Sequence, residues 1–466
     1  MQTLLGAAGA LTAFGQQAKK ARKPNFVIIL ADDLGYGDVG CFGSPDVPTP
    51  NIDSIARNGY RFTDGYVSAA VCSPSRAGLL TGRCQQRFGH EFNTGPAHRD
   101  REQHLGLPLG EVTLPQLLKP AGYKTGMVGK WHLGMSPEFH PLSRGFDEYF
   151  GFLFGANSYL TSRTPGGQMI RTGEEYGGIP EQRREPVFRG REPVAEDQYL
   201  TDAFGREAVS YIERHKGEPF FLYLAFNAVH EPLQATTRYL DRFANIKDER
   251  HRMLAAMTAA MDDSVGAVLR KLRDAGLEKD TLVFFLSDNG CPIYTRAGTN
   301  GPLSGSKITY FEGGIRVPFA VQWPGVIPAG RTFGKPVVSR DILPTLVAAA
   351  GASLPKDREY DGVNLLPYLT GRNNGSPHEI LFWRSADVFA ARKGNWKLIQ
   401  AGETTRLYDL STDLGEKKDR AGSETAVVRE MREALKQWNK KLVPPRWKPR
   451  SVVNLPVNGE KFMWSV

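Results

Sequence analysis

A chain of 466 residues, 41% hydrophobic and 23% charged, carries enough apolar content to bury a sizeable core, which excludes disorder of the chain as a whole. Its length fits one large α/β unit plus a smaller one better than a single minimal domain. The formal charge of +9 calls for an acidic partner, but the basic residues are scattered and no nucleic-acid motif accompanies them, so an acidic substrate accounts for the charge better than nucleic acid does.

The N-terminus holds a short run of small apolar residues, Leu4 to Phe14, followed by a polar, basic stretch. It is similar to the core and end of a secretory signal without the usual positively charged start. Residues 1–23 are therefore read as a signal or an unstructured tail, and the expected location is periplasmic or secreted. No segment reaches the roughly 18 apolar residues of a membrane span, so stable membrane insertion is not expected. Four cysteines are too few to define a disulfide framework in a chain this long.

In chain order, NFVIIL (Asn25 to Leu30) is a continuous apolar run, the pattern of a strand buried on both faces, and it leads into Asp32-Asp33. TPNIDSIARNG predicts a helix capped by Thr49, with Pro50 in its first turn and Gly59 at its end. Ser73-Pro74 predicts a helix start just after Cys72. TLPQLLKPAG repeats the plan of the first helix. YKTGMVGKWHLG reads as a strand ending near Lys130 and His132. Residues 155–193 are rich in Gly, Arg and Glu and read as a long surface insertion. PFFLYLAFNAVHEP is a strand ending near His230, a long amphipathic helix follows from about Glu249, and DTLVFFLSDNG is a strand ending at Asp288-Asn289. From about Ile380 the pattern changes to strand, turn at Lys393-Gly394-Asn395 and strand, with a further strand and a helix opened by Ser423.

Alternating strands and helices predict a large mixed, mostly parallel sheet sandwiched by helices, with a small C-terminal antiparallel sheet and one helix beside it. The expected division is a catalytic α/β unit over 24–375 and an α+β subdomain over 376–466. In open α/β sheets ligands bind beyond the carboxyl ends of the strands. Four strands end in Asp-Asp, Lys-x-His, His-Glu and Asp-Asn, which puts all of those groups at one edge.

Asp32, Asp33, Asp288 and Asn289 offer only oxygen, a donor set for a hard divalent cation, calcium before magnesium, and not for zinc. One such aspartate commonly just caps a turn; two pairs at two strand ends favour a metal. Lys130 and Lys307 add fixed cations, and His132 and His230 add groups able to move a proton or bind an anion. Such a site neutralises the oxygens of a tetrahedral oxyanion ester. Cys72, at a helix start expected to lower its thiol pKa, stands where a nucleophile is needed, with Arg76 one turn on. A thiolate suits a hard metal poorly, and an oxygen nucleophile suits it better.

CSPSRAGLLTG resembles the signature of the type I, formylglycine-dependent sulfatases of the alkaline phosphatase-like superfamily. ADDLGYGDVG, GKWHLG, AVHEP, SDNG and GSKITYFEGGIRVP stand around it in that family's order, and the resemblance covers about Asn25 to Ile399. It implies that Cys72 is oxidised to formylglycine by a formylglycine-generating or anaerobic sulfatase-maturating enzyme, which turns residue 72 into an oxygen nucleophile. It further implies calcium held by Asp32, Asp33, Asp288 and Asn289 with residue 72. Arg76 and Lys130 would steady residue 72, His132 would assist release of sulfate, and Lys307 and His230 would bind sulfate, with His230 as proton donor to the leaving oxygen. Many members carry a hydroxyl residue after the FG of the segment written here YFGFLFGANSY; this chain has Gly155 there.

The implied substrate is a sulfated polysaccharide, a carrageenan-type galactan or a glycosaminoglycan. His90, Arg99, Arg101, Asn157 and Arg163 are the candidates for sugar contact, since arginine suits carboxylates and further sulfates. The alternative reading is a phosphatase or phosphonate monoesterase of the same superfamily, which often uses Thr or Ser as nucleophile or a second metal held by extra His and Asp.

Overall fold

The computed structural model describes residues 22–95, 97–169 and 185–466. The signal or tail read over residues 1–23 lies almost wholly outside them. Among the described residues no helix is long and apolar enough to cross a membrane.

The strand Asn25–Ala31 sits near the middle of a ten-stranded sheet. It pairs in parallel with Thr281–Ser287 on one side and Phe220–Ala225 on the other. Lys124–Lys130 and Glu148–Phe152 extend the parallel run. Phe319–Gln322 and Val187–Arg189 join antiparallel toward the edges. The sheet is thus mixed and mostly parallel, as expected.

The continuous apolar runs follow from burial on both faces. Val27 and Ile29 pack on one side, against the Leu200–His215 and Glu249–Asp274 helices. Phe26, Ile28 and Leu30 pack on the other, with Leu79 and Leu80 of the Cys72–Thr81 helix and with the Ile342–Ala349 helix. Alternate side chains of one strand therefore feed two separate cores.

Thr49 does not cap the Pro50–Arg57 helix through its side chain. Its hydroxyl instead accepts from Gly40 N and donates to Asp53. The helix N-terminus is met by Asp262, whose carboxylate accepts from Asn51 N and Ile52 N. This partner lies 210 residues away along the chain, beyond what local sequence signals report.

The C-terminal region is a four-stranded antiparallel sheet. Its first expected strand is two, Ile380–Ser385 and Val388–Lys393, because Ala386 turns the chain with φ of 53°. The helix runs Thr425–Asn439, and the Ser423 hydroxyl donates to Arg420 O instead of capping it. Beyond it lies a hairpin that the sequence reading did not contain, Val452–Val457 against Glu460–Ser465.

Candidate active site

Register builds the site. Ala31 pairs with Ser287 and Gly129 with Ala225, so parallel strands run out together at one edge. Asp32 and Asp288 follow immediately, and Asp288 N donates to Ala31 O at 3.0 Å. Lys130 ends the strand on the far side of Phe220–Ala225, where Gly129 allows close passage: a Cβ there would fall 1.9 Å from Ala225 O. The acidic and basic strand ends thus meet because they terminate at the same level of one sheet.

Three carboxylates and three cations interlock there. Lys130 Nζ donates to Asp32, with both side chains wholly buried. Arg76 Nε donates to Asp288 Oδ2 at 2.9 Å and its NH1 to Lys130 O at 2.9 Å. Lys307 Nζ reaches both oxygens of Asp33 at 2.8 Å. Burial acts against charge on Asp33, yet Lys307 and His230 hold its carboxyl down at about 2. Burial and the neighbouring Asp32 push Asp288 up to about 6. Lys307 is held well above the usual lysine range by Asp33, in spite of its burial.

Cys72 opens the Cys72–Thr81 helix and is 1% exposed. Its Sγ lies 3.5 Å from Asp32 Oδ1. The expectation of a lowered thiol pKa fails. Burial, with Asp288 beside it, drives the thiol up, and this outweighs the helix terminus and the lysines. An unmodified Cys72 is a poor nucleophile in this pocket.

His132 is wholly enclosed. Its Nε2 lies 3.4 Å from Thr94 O, and its buried Nδ1 has no hydrogen-bond partner among the described residues. Burial, then Lys130 and Arg76, hold the ring neutral. His230 Nδ1 lies 2.6 Å from Glu231 O, an atom that only accepts, so Nδ1 carries the proton. Its Nε2 faces Asp33 at 3.6 Å. Burial and Lys307 bring His230 down to about 4.

The backbone around these groups is strained. Asp33, His132 and Ile308 adopt φ values of 63°, 59° and 84°. Left-handed φ on a β-branched residue such as Ile308 is an outlier, and such strain concentrates at functional sites. Here it is held by the bond from Ile308 N to Ala70 O at 2.8 Å.

The residues present fit a hard divalent cation. Asp32, Asp33, Cys72 and His230 bring ligand atoms within 4.8 Å of one another. Asn289 Nδ2 donates to Asp33 at 2.6 Å, and its buried Oδ1 has no partner among the described residues. An orphan carbonyl oxygen beside three buried carboxylates is what calcium chemistry uses. The three carboxylates already balance Arg76, Lys130 and Lys307. A divalent cation would therefore leave the site net positive, suited to an anionic ester.

A cavity of about 220 Å³ opens above Cys72, Asp33, His132, His230 and Lys307. Its rim includes Asn93, Thr94, Phe154, Glu231, Tyr294 and Arg450, which the sequence reading did not single out. Of the residues singled out for sugar contact, the four with described side chains do not line this cavity. His90 is fully buried, bonded to the Ser73 hydroxyl at 2.7 Å and set edge-on to Trp447, so it braces the start of the cysteine helix. Arg99 bonds Gln103 and Lys448 O on the Ala97–Gln103 helix. The side chain of Arg101 lies outside the described residues. Asn157 is buried and clasps the backbone of Glu185 from both sides. Arg163 pairs with Asp197 at the surface.

The sulfatase family profile matches residues 24–352, more than half of the chain. The chain belongs to the sulfatase family. A second profile, N-sulphoglucosamine sulphohydrolase, C-terminal, matches residues 306–441. As a sulfatase it is a sulfuric ester hydrolase, with an alkaline phosphatase-like fold. It is 39% identical to N-acetylgalactosamine-6-sulfatase of Sus scrofa, over 80% of this chain and 71% of that one. It is 36% identical to human arylsulfatase A, over 90% and 87%. The crystal structure of Ps i-CgsB in complex with k-i-k-neocarrahexaose superposes on this sulfatase with a TM-score of 0.82 at 36% identity, covering 91% of this chain and 95% of that one. A phosphonate monoester hydrolase of Agrobacterium radiobacter, 19% identical with a TM-score of 0.63, shares the fold.

Proposed function

We propose that this sulfatase hydrolyses sulfate esters of a sulfated carbohydrate, with residue 72 converted from cysteine to formylglycine and with calcium held beside it. One observation carries the reading: Cys72 lines an open cavity, against the cluster of Asp32, Asp33, Asp288 and Asn289. A relative named for N-acetylgalactosamine 6-sulfate and a similar structure that holds a carrahexaose support a carbohydrate substrate, a carrageenan-type galactan or a glycosaminoglycan.

Formylglycine and calcium would supply an oxygen nucleophile for the sulfate sulfur and positive charge against its oxygens. Asp32, Asp33, Asp288 and Asn289 would hold the cation. Arg76 and Lys130 lock those carboxylates in place through the bonds above. Lys307 and His230 face the cavity and would bind the ester's nonbridging oxygens. His230 Nε2, lacking a proton at rest, would take one to deliver to the leaving oxygen. His132, neutral with a vacant Nδ1, would accept the proton lost when sulfate departs.

Residues 72–76 are all buried. A maturating enzyme, formylglycine-generating or anaerobic, must therefore reach Cys72 before the chain folds. The apolar run near the N-terminus supports export to the periplasm or medium.

The test is a mass spectrum of the tryptic peptide Phe62 to Arg76 from protein made in its own host. Loss of the thiol sulfur, with an aldehyde trapped by a hydrazide, is the expected result. An intact, alkylatable thiol on fully active protein would overturn it.

A further inference from the structure

One wall of the cavity above Cys72 is used by none of the chemistry above. It comes from the C-terminal hairpin and the residues at its base, Arg450, Ser451, Val453 and Leu455. The hairpin is fixed at three places. Along its face, Trp464 is 1% exposed and its ring meets Tyr310 and Phe311 at 6.0 and 6.4 Å. At its tip, Asn458 donates to Gly415 O and Glu416 O at 3.0 and 2.7 Å. At its base, Arg450 N and Ser451 N both donate to Val466 O, and Val466 N returns a bond to Ser451 O. Arg450 therefore enters the cavity from a rigid backbone.

The carboxylates lining this cavity are Asp33, Glu231 and the terminal carboxylate of Val466; Asp33 is committed to Lys307, and Val466 O accepts from the backbone N–H groups of Arg450 and Ser451. Among the described residues the Arg450 guanidinium has no ion pair or hydrogen bond. Val453, Leu455 and the half-buried ring of Phe154 give the same cavity apolar surface, against which a sugar ring can lie. A guanidinium in that setting presents a planar fork matched to an oxyanion. It is not bonded into the Asp32–Asp33–Asp288 cluster, so it is placed to hold a different group from the one cleaved.

We propose that Arg450 is a specificity-determining residue that holds a second anionic substituent, a sulfate or a carboxylate, on the saccharide whose sulfate ester lies at residue 72. This rests on the reading of the cavity as a carbohydrate sulfatase site and deepens it: the substrate is a polyanionic saccharide, not one with an isolated sulfate.

The test uses the full chain with Cys72→Ala, which has no nucleophile at residue 72, in calorimetric titrations with three probes. These are a monosulfated galacto-oligosaccharide, a disulfated one, and a monosulfated one that contains a uronic acid. Arg450→Ala should weaken binding of the disulfated probe about tenfold and of the monosulfated probe less than about twofold, since a hydrogen bond to a charged group is lost only in the first case. Arg450→Lys should recover part of the loss. A matching loss on the uronic acid probe identifies a carboxylate as accepted; a loss confined to the disulfated probe identifies sulfate. Equal losses on all three probes, or none, would overturn the assignment. If matured wild-type enzyme cleaves the disulfated probe with no dependence on Arg450, only this inference fails. If it neither binds nor cleaves any of the three, the carbohydrate reading fails with it.

Discussion

Any side chain at residue 155 would place its Cβ 2.6 Å from Nε2 of His132 and 2.7 Å from Cε1. His132 is buried with its backbone in the left-handed region, so its ring can give way only into the cavity it lines. The glycine that departs from the hydroxyl residue of many sulfatases is thus a packing partner of His132. Gly155→Ser should displace the ring and lower kcat by roughly tenfold to a hundredfold, as misplaced catalytic groups do. The melting temperature should move little, because the ring faces a cavity. Full activity in Gly155→Ser would show that His132 keeps its place by other means.

Arg76 and Asp288 form a buried ion pair at 2.8 Å, each side chain at most 1% exposed. Removing one partner of such a pair strands the other. Arg76→Met should cost about 3–5 kcal/mol in urea unfolding. Arg76→Lys should recover little, since a single ammonium cannot serve both Asp288 and Lys130 O in the guanidinium's geometry. A loss under about 1 kcal/mol would mean that Asp288 folds protonated, the form that burial and Asp32 favour.

Calcium binding should appear as a saturable rise in melting temperature on adding the ion to chelated protein, by mass action on the folded state. Magnesium should give less, because it dehydrates reluctantly and demands a stricter octahedron. The chelated protein should stay folded, since Arg76, Lys130 and Lys307 already offset the three carboxylates. Asp288→Ala should lose both the thermal response and turnover. A calcium response that survived this change would move the cation away from Asp288.

Much of this site could be read from residue types, and the reason is geometric. Continuous apolar runs mark strands buried on both faces, and strands of one parallel sheet end at one level, so Asp32, Lys130 and Asp288 had to be neighbours. The cavity wall built by the C-terminal hairpin was not legible. Pro456 sits inside the Val452–Val457 strand and argues against one, although its partner Lys461 needs no ladder bond from it there. The Ala97–Gln103 helix has no apolar stripe, so nothing in AHRDREQ signals it. His90 and Asn157 were polar residues in suggestive places, and their side chains turned out to satisfy internal bonds. The thiol shift had the wrong sign because a helix terminus is visible in sequence and full burial is not.

His251 gives a pH signature away from the active site. Its Nδ1 and Nε2 lie 2.9 Å from Ala297 O and from Asp46, both acceptors, so the imidazolium satisfies both contacts. Burial opposes the charge, but Ala297 O and Asp46, with Asp38 beyond, raise the pKa above the usual histidine value. A raised folded pKa stabilises fully below the unfolded value, about 6.5, and the contribution is lost as pH rises through the folded value. His251→Gln should therefore destabilise at pH 6 by up to about 1 kcal/mol, the range for a partly exposed pair. The difference from wild type should shrink toward pH 9. A difference that grew with pH would show a neutral ring at this position.

His230 separates the two stages of the proposed reaction. Its Nδ1 is committed to Glu231 O, so only Nε2 can serve an ester in the cavity. An alkyl or sugar oxygen leaves poorly without a proton, whereas an aryl oxygen with a low pKa leaves readily without one. His230→Ala should therefore lower kcat/KM on a sugar sulfate roughly a hundredfold more than on a nitrophenyl sulfate, within the usual span of general-acid effects. The loss of an anion contact alone would lower both substrates alike, mainly through KM. Equal losses on the two esters would thus assign His230 to sulfate binding and leave the proton to another group.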